Sequence, residues 1–150
     1  MLLIILFIAF LLIGGTSMYF AFSQKTGIIS LNGTEYPVWI ADNPVAQAQG
    51  LSGKVLDDFS RADVEGMIFL FDEVQERTFW MHEMKFDLDV LWMADGTIVA
   101  ISKDVPAPVN GEEPVRMGSG LSGADMVLEV PAGWVAEKGA KIGDSLIFKN

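Results

Sequence analysis

Residues 65–96 read EGMIFLFDEVQERTFWMHEMKFDLDVLWMADG, and this stretch decides the fold class. Met67 to Phe71 is an unbroken apolar run, as expected of a strand buried on both faces. Thr78 to Met84 reads as a second strand. Asp89 to Met93 and Thr97 to Ile101 flank Ala94-Asp95-Gly96, the signature of a hairpin. Upstream, Ile28 to Leu31 and Tyr36 to Ala41 flank Asn32-Gly33, a dipeptide that tolerates the positive φ of a tight hairpin turn. Pro37 suggests that this second strand starts at a sheet edge. Downstream, Met126 to Val130 and Ser145 to Phe148 supply two further strands. Asn43-Pro44 opens a helix of about two turns that Gly50 ends, and Pro131 to Lys138 reads as another short helix before Gly139. Leu51 to Glu65 reads as loop, and Val105 to Gly123, with Pro106, Pro108 and Pro114, as a long excursion. The pattern predicts a mainly β, compact sandwich or barrel-like domain with two short helices.

The N-terminus sets the solvent. Met1 to Phe22 carries no charged side chain. As a helix, ~22 residues span roughly 33 Å, the thickness of a bilayer's hydrocarbon core. Tyr19, Phe20 and Phe22 would sit at the interface. Ala21 and Ser23 form a small-x-small pair that a signal peptidase could cut. The missing basic n-region and the length of the run favour an uncleaved anchor. The expectation is one transmembrane helix in residues 1–23, embedded in the lipid bilayer through residues 1–22, and a single domain in residues 24–150. The tether from Ser23 to Gly27 is short, so the domain should lie close to the membrane.

Charge narrows the partners. Twenty acidic against ten basic residues give a net charge of −10. An acidic domain is repelled by anionic cytoplasmic lipids, which places it outside the cytoplasm. The same charge argues against nucleic acid, whose phosphates need clustered Lys and Arg. The absence of cysteine removes disulfides, thiol catalysis and Cys-based zinc sites.

Motifs with chemistry are few. Gly118 to Gly123 matches G-x-G-x-x-G, but no apolar strand precedes it and a strand follows it, so it reads as a flexible loop and no cofactor is expected. His82 is the sole histidine, with no G-x-S-x-G elbow to pair with. Asp87, Asp89 and Asp95 lack the tight loop a hard cation prefers, and no metal site is expected. Asp89 precedes the apolar Val90 to Met93, and a carboxylate entering a buried strand needs donors. It could fix a loop by accepting backbone N–H bonds. Of Trp39, Trp80, Trp92 and Trp134, Trp80 is the candidate for exposure. Candidate ligand- or partner-binding residues are therefore Trp80, His82, Asp89 and Arg116, the last from the excursion. The expected function is binding of an envelope protein or a small molecule. The alternative is a hydrolytic or metal-assisted enzyme joining His82 to Glu83, Asp87 or Asp89, which a kink near Met84-Lys85 would require.

In order, AQAQGLSG, EGMIFLF, TFWMHEM, LDVLWMADGTI, MVLEVPAGW and KIGDSLIF resemble the domain of unknown function 192 (DUF192) family over roughly Ile28 to Phe148. The resemblance implies one β-rich domain, often behind a signal or anchor, and no established catalytic residue. The matching positions include Gly50, Leu51, Gly66, Met67, Phe79, Trp80, Met81, Asp89, Asp95, Gly96, Glu129, Gly143 and Asp144. His82-Glu83 stands where that family carries a basic residue and an amide or Asp, and Asp87 where proline is common.

Overall fold

Two adjacent strands that run parallel need a crossover between them, and this requirement organises the first half of the domain. The computed structural model describes residues 24–149. Strands β1 (Thr26–Leu31) and β2 (Thr34–Ala41) form the expected hairpin around Asn32-Gly33. The chain then crosses through helices α1 (Pro44–Gln49) and α2 (Leu56–Ala62) to β3 (Gly66–Gln75), which pairs parallel to β2. Short β4 (Thr78–Trp80) follows, then the hairpin of β5 (Leu88–Ala94) and β6 (Thr97–Val105). Strand β7 (Arg116–Gly118), a 3₁₀ turn at Gly120–Ser122, β8 (Ala124–Pro131), α3 (Trp134–Lys138) and β9 (Leu146–Lys149) complete the chain.

Seven strands form one sheet in the order β6-β5-β8-β3-β2-β1-β9, while β4 and β7 form a separate ribbon. The sheet curls into a half-barrel. Its two edges meet at one end, where Ile98 N–H donates to Asp144 O (2.9 Å) and Leu146 N–H to Gly96 O (2.9 Å). That contact covers backbone an open edge would leave unpaired. Side-chain alternation divides the core. Trp39, Met67, Phe69, Val90, Trp92 and Val127 pack on one face, beneath α1, α2 and the segment around β4. Ile29, Ile40, Ile68, Leu91, Leu128 and Val130 pack on the other, with Trp134 and Val135 of α3.

The mainly β expectation holds, with one curled sheet carrying it. The expected anchor falls in residues 1–23, outside the described residues. Among the described residues no helix is long and apolar enough to cross a membrane. Four local expectations are corrected. Leu51 to Glu65, expected as loop, holds α2, so the described residues form three α-helices where two were expected. Asp58 Oδ2 accepts from Val55 N–H (2.9 Å), and Phe59 alone of the helix is buried, so no apolar period marks it. The strand expected over Thr78 to Met84 ends at Trp80. There Met81 N–H donates to Val115 O (3.0 Å), and Met84 N–H closes a turn onto Met81 O (3.3 Å). The expected excursion contains β7, which pairs with β4. Pro37 lies in an interior strand: the parallel ladder to β3 begins one residue later, at Val38, and Pro37 O accepts from Glu65 N–H (2.8 Å).

Candidate functional site

Strand β8 reads ADMVLEVP, and its one acidic residue in the middle of the sheet is Glu129. It lies opposite Met67 of β3 on one side and Val90 of β5 on the other. Both neighbours are buried and apolar, and Glu129 itself is 6% exposed. Its side chain shares the face of Val127, beneath α1 and β4. It makes no hydrogen bond among the described residues, and burial alone pushes its carboxyl up to about 8.

The carboxyl forms part of the wall of a pocket of about 290 Å³. Phe69 and Phe71 of β3, Phe79 and Trp80 of β4, and Gly50-Leu51 after α1 supply much of the rest. Each element is held by an identifiable contact. Asn43 Oδ1 caps α1 by accepting from Ala46 N–H (3.0 Å), and Gln47 Nε2 ties the helix to Leu70 O of β3 (2.7 Å). Phe79 is wedged edge-on against Phe69 (4.8 Å between centroids) and Trp92 (5.3 Å). Arg77 spans the irregularity between Leu70 and Gln75 of β3, donating to Glu73 O and Ala124 O (both 2.7 Å). Its guanidinium carbon lies 3.6 Å from the Phe71 ring centroid.

Of the residues singled out in the sequence, Trp80 lines the pocket, and His82 and Arg116 pack on Trp80. Trp80 is 47% exposed and stacks on His82, with centroids 4.5 Å apart. Arg116, opposite Trp80 in the β4–β7 register, holds its guanidinium 5.0 Å from the Trp80 ring. Asp89 is elsewhere, fully buried on the opposite face of the sheet. Its carboxylate accepts from the backbone N–H groups of Asp104 (2.9 Å), Gly133 (3.1 Å) and Val135 (2.9 Å). It fastens the end of β6 and the start of α3. Asp87 accepts from Ala107 N–H (2.8 Å). His82 Nε2 stands 3.8 Å from Glu83 Oε1, beyond hydrogen-bond distance. The kink near Met84 therefore does not bring His82 together with Asp87 or Asp89.

A wider depression of about 640 Å³ lies between α2 and α3. Its Glu65 is already engaged by Trp134 Nε1 (2.7 Å) and Lys138 Nζ (3.5 Å). Among the described residues no three His, Cys, Asp or Glu side chains cluster as a metal site. Sequence reasoning placed Glu129 among the family positions without giving it a task. The signal was present: a lone carboxylate inside MVLEV, a strand otherwise fit for an apolar core.

A half-barrel sheet with an aromatic pocket over its centre defines a small mainly β domain. The chain belongs to the DUF192 family, described as "Uncharacterized ACR", whose model matches residues 27–148. No curated protein matches it significantly. Among solved structures it is similar to a putative transcription regulator from Sinorhizobium meliloti, with 29% identity and a TM-score of 0.67. That match covers 84% of this chain and 95% of the other. It is also similar to a protein of unknown function from Novosphingobium aromaticivorans, with 25% identity and a TM-score of 0.65, covering 89% and 99% of the two chains.

Proposed function

We propose that this chain is a membrane-anchored, extracytoplasmic binding domain whose ligand enters the pocket beside Glu129. The observation that carries the reading is a carboxyl, 6% exposed and without a partner, facing an aromatic pocket. A buried polar group without a hydrogen bond is costly, and a ligand that supplies one recovers that cost on binding. The pocket volume suits a small molecule and is too small for a folded partner. Residues 1–22 supply the tether, because an uncharged run of that length matches the bilayer. The net charge of −10 supports a domain facing away from anionic lipid, and it does not suit a regulator that binds DNA. The hydrolytic alternative draws no support from the geometry, since His82 has no carboxylate within hydrogen-bond reach.

The test is a thermal-shift screen of the full chain against metals, sugars, nucleotides, peptides and small amphiphiles. A ligand that binds only the folded state raises the melting temperature. A hit lost in Glu129→Gln and Trp80→Ala supports the site. A screen whose hits all survive both substitutions contradicts it. Membrane fractionation of the full chain tests the tether: release by alkaline carbonate would overturn it.

A further inference from the structure

Resting on that reading of the pocket, we infer that its ligand is a small organic ammonium ion. Its nitrogen would lie against Glu129 and its apolar body against Phe69, Phe79 and Trp80. Four aromatic rings, those of Phe69, Phe71, Phe79 and Trp80, line one small cavity around one carboxyl. Aromatic faces attract cations, and two of these rings already bear one: Arg77 lies 3.6 Å from Phe71 and Arg116 5.0 Å from Trp80. A neutral apolar ligand would use the rings and leave the carboxyl without a partner. An anion would meet a group that carries like charge when ionised. An ammonium ion satisfies both parts of the lining, and N⁺–H to carboxylate hydrogen bonds are the strong kind. The net charge of −10 also draws cations toward the domain.

Ammonium binding at Glu129 has a definite pH dependence. An ammonium ion pairs with ionised Glu129, so binding expels the proton that burial retains there. Among the residues that line the pocket, Glu129 is the one acid or base. Helix α1 brings Gln47 and Gln49, β3 brings Phe69 and Phe71, β4 brings Thr78, Phe79 and Trp80, and the following turn brings Met84, none of them titratable near neutrality. The β5 residue opposite is Val90, and Asp89 beside it faces the other side of the sheet. The charged or titratable groups packed on the lining rings are Arg77 on Phe71, and Arg116 and His82 on Trp80.

The experiment is isothermal titration of the full chain in zwitterionic nanodiscs with 2-phenylethylammonium and with its neutral counterpart 2-phenylethanol. Empty nanodiscs are the blank. The expected result is ammonium binding that tightens about tenfold per pH unit up to the Glu129 value and then levels off, with about one proton released per ligand below it. Glu129→Gln should abolish the pH dependence and weaken binding about tenfold or more above that pH. Trp80→Ala should weaken binding and keep the pH dependence. Circular dichroism checks that both variants fold. Preferential binding of 2-phenylethanol, strongest at low pH, would overturn the ammonium assignment and leave the pocket reading standing. So would failure of the ammonium while a different Glu129-dependent ligand emerges from the thermal-shift screen. If no ligand of any class depends on Glu129, both readings fail.

Discussion

Gly50 stands at the side of Glu129: a methyl group on Gly50 would lie 3.9 Å from Glu129 Oε2 and 3.3 Å from Phe69 Cζ. The residue that ends α1 is thus also part of the pocket wall. Its backbone sits at φ 51°, ψ −135°, a conformation L side chains rarely adopt, while its N–H donates to Ala46 O (2.8 Å). Gly50→Ala is expected to cost about 1–3 kcal/mol of stability through backbone strain. It should also narrow the space beside the carboxyl. Urea unfolding together with ligand titration checks both effects, and a stable variant with unchanged binding would speak against this account of Gly50.

Glu129 makes stability depend on pH in an unusual direction for a carboxylate. Its value in the folded domain, about 8, lies above the ordinary 4.5. The folded state therefore binds a proton that the unfolded chain has already released. This favours folding fully below the ordinary value and is lost as pH rises through about 8. Between the two values the loss amounts to about 1.4 kcal/mol per pH unit. Glu129→Gln cannot ionise, so it should remove that slope and be more stable than the parent at neutral and alkaline pH. Urea midpoints measured from acid to mildly alkaline pH check this. Parallel pH curves for the two proteins would contradict it.

Asp89 has the opposite task on the opposite face. Three backbone N–H groups converge on its carboxylate from β6 and from the start of α3. Asp89→Ala leaves those donors buried without an acceptor and is expected to cost about 3–5 kcal/mol. Asp89→Asn keeps one acceptor oxygen and should cost less, about 1–3 kcal/mol. Hydrogen exchange should show the loss first at Asp104, Gly133 and Val135. An Asp89→Ala variant as stable as the parent would refute the role.

Gly66 permits the close approach of β3 and β8. A methyl there would lie 2.3 Å from Glu129 O and 2.6 Å from Val130 Cγ1. The backbone atom cannot yield without parting the ladder that holds Glu129 in place. Gly66→Ala is expected to destabilise by about 3 kcal/mol or more, read as a lower urea midpoint.

Where periodicity and turn chemistry agreed, the elements were legible. Asn32-Gly33 and Asp95-Gly96 located both hairpins, and the unbroken Met67 to Phe71 run marked a strand buried on both faces. Asp89 was legible as a carboxylate in need of donors, because its apolar neighbours left no other way to satisfy it. Helix α2 was not, because Phe59 is its one buried residue and a single apolar position has no period. The turn after Trp80 was hidden for a related reason. FWMHEM carries hydrophobic residues at strand-like spacing, and only contacts with Val115 and Met81 decide where pairing stops. The pocket depends on long-range geometry, which joins residues 47–51, 69–71, 78–84 and 129 from four separate parts of the chain. Trp80, His82 and Arg116 could be named as candidates from type alone, whereas Glu129 needed the sheet register to show that its neighbours are Met67 and Val90.

The most direct test of the account is the titration of Glu129 itself. Carbon-13 NMR of the full chain with labelled glutamate side chains, assigned by comparison with Glu129→Gln, reports its carboxyl against pH. The account predicts a midpoint near 8, the mark of an unpartnered carboxyl in an apolar pocket. A midpoint in the ordinary carboxylate range would mean that the group is solvated or already paired, and would remove the basis of the proposed site.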